Sequence, residues 1–415
     1  MRSIRFVVLA AIAAGAAAVA AVAATNTTGP SSSQAPYVVP VGVSPSISTH
    51  SILTVGDTPE GSSYKLVGIP DGLGAFDNGD GTFTLLANHE LPNTSGVVRA
   101  HGARGAFVSR WVIDKQSLEV LSGADLIQNV FLADKTGAYA LAANVAFNRF
   151  CSADLPAVSA LSDAASGTGT TERIYMNGEE SGAEGRNFAH IVTGSQAGST
   201  YELPYLGRMA FENAVANPGT GARTVVVEQD DTAPTSDTDV NGQVYVYAGD
   251  KKSSGSLVER AGLTGGNLYG IQVRVGGAGL VTEFSKKDWA VGDTFPFASV
   301  DVSADRKNAA GDWSGAALEA GSDAKGVTGF QRPEDGAWDP NHPSDYYFVT
   351  TSNITPEVGR DGHTRLWRLR FTDPAHPDQG GSITLLVNGP ADTTLTNSAA
   401  QYSTKATSGW DNVLF

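Results

Sequence analysis

Apolar positions in this chain cluster in short runs rather than recurring at helical spacing. The runs are rich in Val, Tyr, Phe, Trp and Leu, and little of the chain shows the 3.6-residue period of an amphipathic helix. Short runs of this composition predict β-strands. The clearest runs cover residues 83–87, 107–112, 224–227, 244–247, 346–349 and 365–369.

Turn-forming residues separate these runs. Stretches rich in Asp, Asn, Gly and Pro lie at residues 77–81, 217–221 and 339–341. Strands spaced by such turns indicate a sandwich, a barrel or a propeller. The 48 glycines and the length of the chain favour the propeller. No clean tandem repeat marks the blade boundaries. We therefore predict one all-β propeller domain over residues 39–415.

The N-terminus has the pattern of an export signal. Arg2 and Arg5 precede an Ala-rich apolar stretch, and Ala21-Val22-Ala23 provides a small-residue cleavage site. We predict a signal peptide over residues 1–24 and a flexible mature tail over residues 25–38. The alternative is an uncleaved anchor, because the apolar stretch approaches the ~20 residues that span a membrane. From the predicted export signal we expect the protein to be secreted, periplasmic or attached to the cell surface.

Charge and cysteine content narrow the range of functions. The net charge is −15, and there is no basic run, so nucleic acid is not an expected partner. An acidic protein that binds phosphate needs cations to reverse the local field. The single cysteine, Cys151, excludes an internal disulfide. Its thiol is either buried and inert or occupied by a ligand.

Four segments place acidic residues or the thiol beside predicted strands. Each also has a plain structural interpretation: His89 as a satisfied core residue, Glu179 and Glu180 as a solvated turn, and Arg332 and its acidic neighbours as a surface ion pair. The segments are residues 87–90, Cys151 with the Glu179–Glu180 pair, residues 207–212 followed by 227–231, and residues 330–335.

The order of these segments resembles the PhoX alkaline phosphatase family. That order is Asn-His-Glu, then Cys, Glu-Glu, Gly-Arg-x-x-x-Glu, Glu-x-Asp and Arg-Pro-Glu-Asp, and it covers the chain from about Gly72 to its end. The resemblance implies a secreted or periplasmic six-bladed propeller that hydrolyses phosphate esters with iron and calcium.

 

The resemblance also implies a mechanism in which a metal-activated water or oxo group attacks phosphorus.

The resemblance also implies roles for individual residues. Cys151 matches the thiolate that ligates iron, and Arg332 matches the arginine that binds phosphate. His89 and Glu90 match a motif to which we assign no role. The implied metal ligands are Cys151, Glu180 with Glu179 as the alternative, Glu212 and Glu334, with Glu228 and Asp230 as further calcium ligands.

The chemistry of these side chains agrees with that assignment. Calcium prefers oxygen donors such as carboxylates, and a thiolate adds one soft donor that suits a transition metal. An arginine fork binds two phosphate oxygens in one plane, which lysine does not do. The expected substrate is a small phosphate ester and the expected state is a monomer. The alternatives are a non-catalytic calcium-binding propeller and another propeller hydrolase such as a lactonase.

The sequence also departs from the family. Residues 149–156 replace the family's Asn-Cys-Ala-Gly-Gly segment, Phe211 replaces a His, and the signal lacks twin arginines. The chain ends at Val413-Leu414-Phe415, where the family continues with further strands. We therefore expect a divergent member whose last blade is incomplete.

Overall fold

The structure is a computed structural model that describes residues 25–38, 47–232, 242–275, 279–281, 289–351 and 364–388. Within these ranges, no helix is long and apolar enough to cross a membrane. The predicted signal peptide and the chain end at residues 413–415 lie outside the described residues. Residues 25–28, predicted as part of a flexible tail, form strand β1 (Thr25–Thr28), which pairs in parallel with β2 (Ser48–Ser51).

Within the described residues, four antiparallel groups of four strands form the body of the fold, and we name them blades A to D. Blade A has the strand order β3-β4-β5-β6, and blade B has the order β9-β12-β13-β14. The strands of blade A are β3 (Pro70–Asp77), β4 (Thr82–His89), β5 (Phe107–Asp114) and β6 (Val120–Asp125). The sheet of blade B comprises β7 (Asn129–Ala133), β8 (Tyr139–Ala142), β9 (Phe150–Asp154), β12 (Ile174–Glu179), β13 (Asn187–Ile191) and β14 (Ser199–Glu202).

Blades C and D share one continuous sheet, because β20 (Thr294–Asp301) pairs with the outer strand of each. Blade C has the order β15-β16-β17-β18, and blade D has the order β22-β23-β24-β25. The strands of blade C are β15 (Phe211–Ala216), β16 (Arg223–Asp230), β17 (Gly242–Asp250) and β18 (Asn267–Val275). Those of blade D are β22 (Pro333–Trp338), β23 (Asp345–Thr350), β24 (Arg365–Phe371) and β25 (Gly381–Asn388).

The remaining elements are short connections between these strands. The longest described helix, α3, begins after Ser314, whose side chain accepts a hydrogen bond from the Ala317 amide and so caps the helix. The connections are β10 (Ser162–Asp163), β11 (Thr168–Gly169), β19 (Gly279–Val281), β21 (Gly329–Phe330), α1 (Val158–Leu161), α2 (Leu257–Arg260) and α3 (Gly315–Ala324).

The first strands of the blades lie side by side in chain order. Strand β3 contacts β9, β9 contacts β15, and β15 contacts β22. Four-stranded antiparallel blades whose first strands adjoin in this way form a β-propeller. All six apolar runs predicted as strands lie within strands, namely β4, β5, β16, β17, β23 and β24.

Apolar residues on both faces of each blade hold neighbouring blades together. On β16, Val225 and Val227 join the apolar cluster shared with blade D, whereas Val226 joins the cluster shared with blade B. Successive side chains of a strand point to opposite faces, so a strand buried on both sides is apolar at consecutive positions. This explains why the chain shows continuous apolar runs.

Candidate metal centre

The first strand of each blade begins with the same local geometry. Its first residue pairs with the last residue of the second strand, as Pro70 pairs with His89 and Pro333 with Thr350. A β-bulge follows that pair in all four blades. Bulges re-aim side chains, and they are common beside active sites. The second residue of the first strand is Asp71 in blade A, Cys151 in blade B, Glu212 in blade C and Glu334 in blade D.

A second set of equivalent residues lies at the same end of the propeller as the first. The residue directly after the second strand of each blade is polar, and in three blades it is acidic. These residues are Glu90, Glu180, Asp231 and Thr351 in blades A to D. Because the second strand runs antiparallel to the first, its end lies beside the start of the first strand. Each blade therefore offers two side chains at one end of the propeller.

All of these side chains except that of Thr351 line a small cavity of about 200 Å³. The Cys151 sulfur lies 3.6 Å from Asp71 Oδ2 and 3.5 Å from Glu212 Oε1. Thr351 donates a hydrogen bond of 2.6 Å to Glu334 Oε1. The cavity is lined by Asp71, Glu90, Arg149, Cys151, Glu180, Glu212, Asp231, Arg332 and Glu334. Residues from four blades thus converge on one strongly acidic site.

Two arginines balance part of this charge. The Arg149 guanidinium bonds Glu90 Oε1 at 2.7 Å and Glu180 Oε2 at 2.5 Å. The Arg332 guanidinium bonds Asp231 Oδ2 at 2.6 Å and Glu334 Oε1 at 2.8 Å. Both arginines have a positive φ, 50° for Arg149 and 46° for Arg332. Strained backbone of this kind clusters at functional sites.

The crowding of acids changes their protonation. Burial raises the pKa of Glu180 to about 7, although Arg149 acts in the opposite direction. Burial, together with Glu334 and Asp231, holds the pKa of Glu212 well above its ordinary value. Burial and the charge of Glu212 also raise the pKa of the Cys151 thiol. Positive charge placed among these groups would favour their ionised forms.

The donor atoms suit metal ions. Three groups each bring their ligand atoms within 4.8 Å of one another. Cys151 belongs to two of these groups and Glu212 to two, so neighbouring ions could share these ligands. The groups are Asp71, Glu90 and Cys151; Cys151, Glu180 and Glu212; and Glu212, Asp231 and Glu334. Carboxylates are the donors that calcium prefers, and the thiolate provides a soft donor for a transition metal.

The residues predicted from sequence divide into two sets. Cys151, Glu180, Glu212, Arg332 and Glu334 line the cavity. Glu179, Glu228 and Asp230 do not line it. His89 is buried, and both of its ring nitrogens have hydrogen-bond partners, the Val67 carbonyl and the Ser109 hydroxyl. It is therefore a core residue whose polar atoms are satisfied.

Glu179, Glu228 and Asp230 lie away from the cavity because strand side chains alternate. Glu179 forms a two-bonded ion pair with Arg186, with both distances 2.8 Å. Glu228 is fully buried on the Val226 face of β16. Asp230 Oδ1 accepts hydrogen bonds from the Ala210 amide and from Thr232. The cavity instead receives the following residues, Glu180 and Asp231.

Sequence reasoning missed three residues of the cavity, Asp71, Arg149 and Asp231. Arg149 lies two positions before Cys151, just as Arg332 lies two positions before Glu334. That shared spacing is a signal that the sequence contains. Asp71 has no such signal, because only the pairing of Pro70 with His89 marks it as the equivalent of Cys151.

Comparison with known proteins bears on the fold. No protein-family profile matches the sequence, and no curated protein matches it. The structure is similar to that of Pseudomonas fluorescens PhoX in complex with vanadate, a transition state analogue, with a TM-score of 0.51 and 13% sequence identity. The match covers 77% of this chain and 66% of that structure, which is less than two thirds of its length. The likeness supports the all-β propeller fold predicted from the sequence.

Proposed function

We propose that this protein is a metal-dependent phosphoric ester hydrolase. The observation that carries the proposal is the cavity itself, where acidic side chains and one thiol surround space for cations, with two guanidinium groups beside them. Cations held there would provide the positive field that an acidic protein needs to attract a phosphate ester. The similar PhoX structure, whose bound vanadate is a transition state analogue, supports the proposal of phosphoric ester hydrolysis.

The metal-holding residues follow from the donor groups. Cys151, Glu180, Glu212 and Glu334 would hold the ions, with Asp71, Glu90 and Asp231 as additional ligands. We infer iron near Cys151, because a thiolate favours a transition metal, and calcium among the carboxylates. Glu179, Glu228 and Asp230 are not proposed as ligands, since they do not line the cavity.

The protein's own residues would then position the ester. Arg332 would present its planar fork to two oxygens of the phosphoryl group and stabilise the charge that develops on them. Asp231, which bonds Arg332 at 2.6 Å, would orient that fork. Bound cations would supply Lewis acidity and lower the pKa of an attacking water. We further propose a small phosphate ester as substrate and an exported, monomeric protein.

The test combines metal analysis with hydrolysis assays on the full chain. Purified protein should contain iron and calcium by elemental analysis, and it should hydrolyse p-nitrophenyl phosphate. Neighbouring acids provide a matched pair of variants. Glu180→Gln should lose bound metal, whereas Glu179→Gln should keep it, because only Glu180 lines the cavity.

Three results would contradict the proposal. Protein that binds no metal after dialysis against iron and calcium salts would remove its basis. Protein that binds metal but hydrolyses no phosphate ester would instead indicate a calcium-binding propeller, and hydrolysis of lactones alone would indicate a lactonase.

A further inference from the structure

We propose that Arg149 is a second oxyanion-binding arginine of this site, acting together with Arg332; the inference rests on the proposed function. Neither the fold likeness nor the motif order assigns this residue a role. The proposal stands on the equivalence of two blades, on the surface that the two arginines share, and on the contacts that hold them.

The two arginines occupy equivalent positions in blades B and D. Each lies directly before the first residue of its blade's first strand, and each has a positive φ. Each bonds an acid of its own blade, Glu180 for Arg149 and Glu334 for Arg332. Each also bonds the acid that follows the second strand of the preceding blade, which is Glu90 for Arg149 and Asp231 for Arg332. Two blades thus place an arginine at the same position, each bonded to one acid of its own blade and one of the preceding blade.

Both arginines also line a wider cleft of about 680 Å³ that shares residues with the acidic cavity. The other residues lining this cleft are small, polar or acidic: Asn148, Glu180, Ser181, Gly182, Ala210, Asp231 and Thr232. Among these lining residues, the positive charges belong to Arg149 and Arg332. An anion in the cleft therefore meets a guanidinium group from each of two blades.

The exposure of Arg149 fits a role in binding. Its side chain is 43% exposed, compared with 26% for Arg332. The carboxylate oxygens that Arg149 contacts belong to Glu90 and Glu180, which are both candidate metal ligands. When those oxygens are engaged elsewhere, the guanidinium becomes available to an anion in the cleft. The greater exposure makes Arg149 the more accessible of the two arginines.

The experiment measures binding of inorganic phosphate to the metal-loaded full chain by calorimetry. Arg149→Gln should weaken phosphate binding about 10- to 100-fold, the range expected for losing a charge-assisted hydrogen bond. Arg149→Lys should weaken it less, because the charge stays and the planar fork is lost. Arg186→Gln is the matched control, since Arg186 forms a similar ion pair with Glu179 outside the cavity. Metal content and thermal unfolding are measured for each variant.

The outcomes separate this inference from the proposed function. Unchanged phosphate affinity in Arg149→Gln, with wild-type protein binding normally, overturns the role of Arg149 alone. Wild-type protein that binds no phosphate overturns the proposed function as well. Weaker phosphate binding in Arg149→Gln that is accompanied by loss of metal would also overturn the inference, because Arg149 would then act through the metal ligands.

Discussion

Blades B and D present the same backbone positions to the cavity but fill them with different chemistry. At these positions blade B has Arg149, Cys151 and Glu180, which line the cavity. Blade D has Arg332 and Glu334, which also line it, and Thr351, which donates a hydrogen bond to Glu334. The soft thiol of one blade is thus replaced by a carboxylate in the other, and an acid is replaced by a hydroxyl. The comparison shows that the bulged strand start sets where a side chain lies, while the residue at that position sets what it binds.

The largest expected effect concerns the arginine of blade D. Arg332→Lys should reduce kcat/KM for p-nitrophenyl phosphate by roughly 100- to 1,000-fold, because loss of a preorganised donor to the developing charge has effects of this size. Steady-state kinetics on metal-loaded protein measures the change. Arg370→Lys, which alters an exposed arginine on β24, is the control. Undiminished turnover in Arg332→Lys would show that the reaction does not use the planar fork of Arg332.

An intermediate effect separates the soft and hard donors of the two blades. Cys151→Ser should lower iron affinity by roughly 10- to 100-fold while calcium stays bound, because the soft donor is lost and the carboxylates remain. Glu334→Gln should mainly lower the calcium content. Elemental analysis of both variants, purified in parallel, measures the difference. Equal loss of both metals from each variant would contradict a division of donors between the blades.

The smallest expected effect concerns blade C, where a buried acid lies outside the cavity. Burial holds the pKa of Glu228 well above its ordinary value, while Arg306 opposes the shift. The stabilising proton of such an acid is present at low pH and is lost as the pH rises towards the folded-state pKa. Glu228→Gln should therefore leave metal content unchanged and raise the free energy of unfolding by roughly 1–2 kcal/mol at pH 8, but not at pH 4. Denaturant unfolding at both values checks this, and loss of calcium from the variant would place Glu228 in a metal site after all.

The sequence by itself determined the strands and part of the site. Apolar runs such as residues 224–227 indicated strands directly, because β-branched and aromatic residues suit a sheet buried on both faces. The motif order singled out Cys151, Glu212, Arg332 and Glu334, which all line the cavity. Where two acids were adjacent, however, the sequence did not decide between them: Glu180 was favoured with Glu179 kept as an alternative, and Asp230 was chosen over Asp231.

Only the tertiary structure decided which of two adjacent acids reaches the cavity and which distant residues join it. Alternation along a strand separates neighbours such as Asp230 and Asp231 onto different sides, and the choice depends on where β16 ends. Asp71, Glu90 and Cys151 meet because β3 and β9 adjoin, although they belong to different blades. Such contacts depend on how whole blades pack, which no local pattern of residues records.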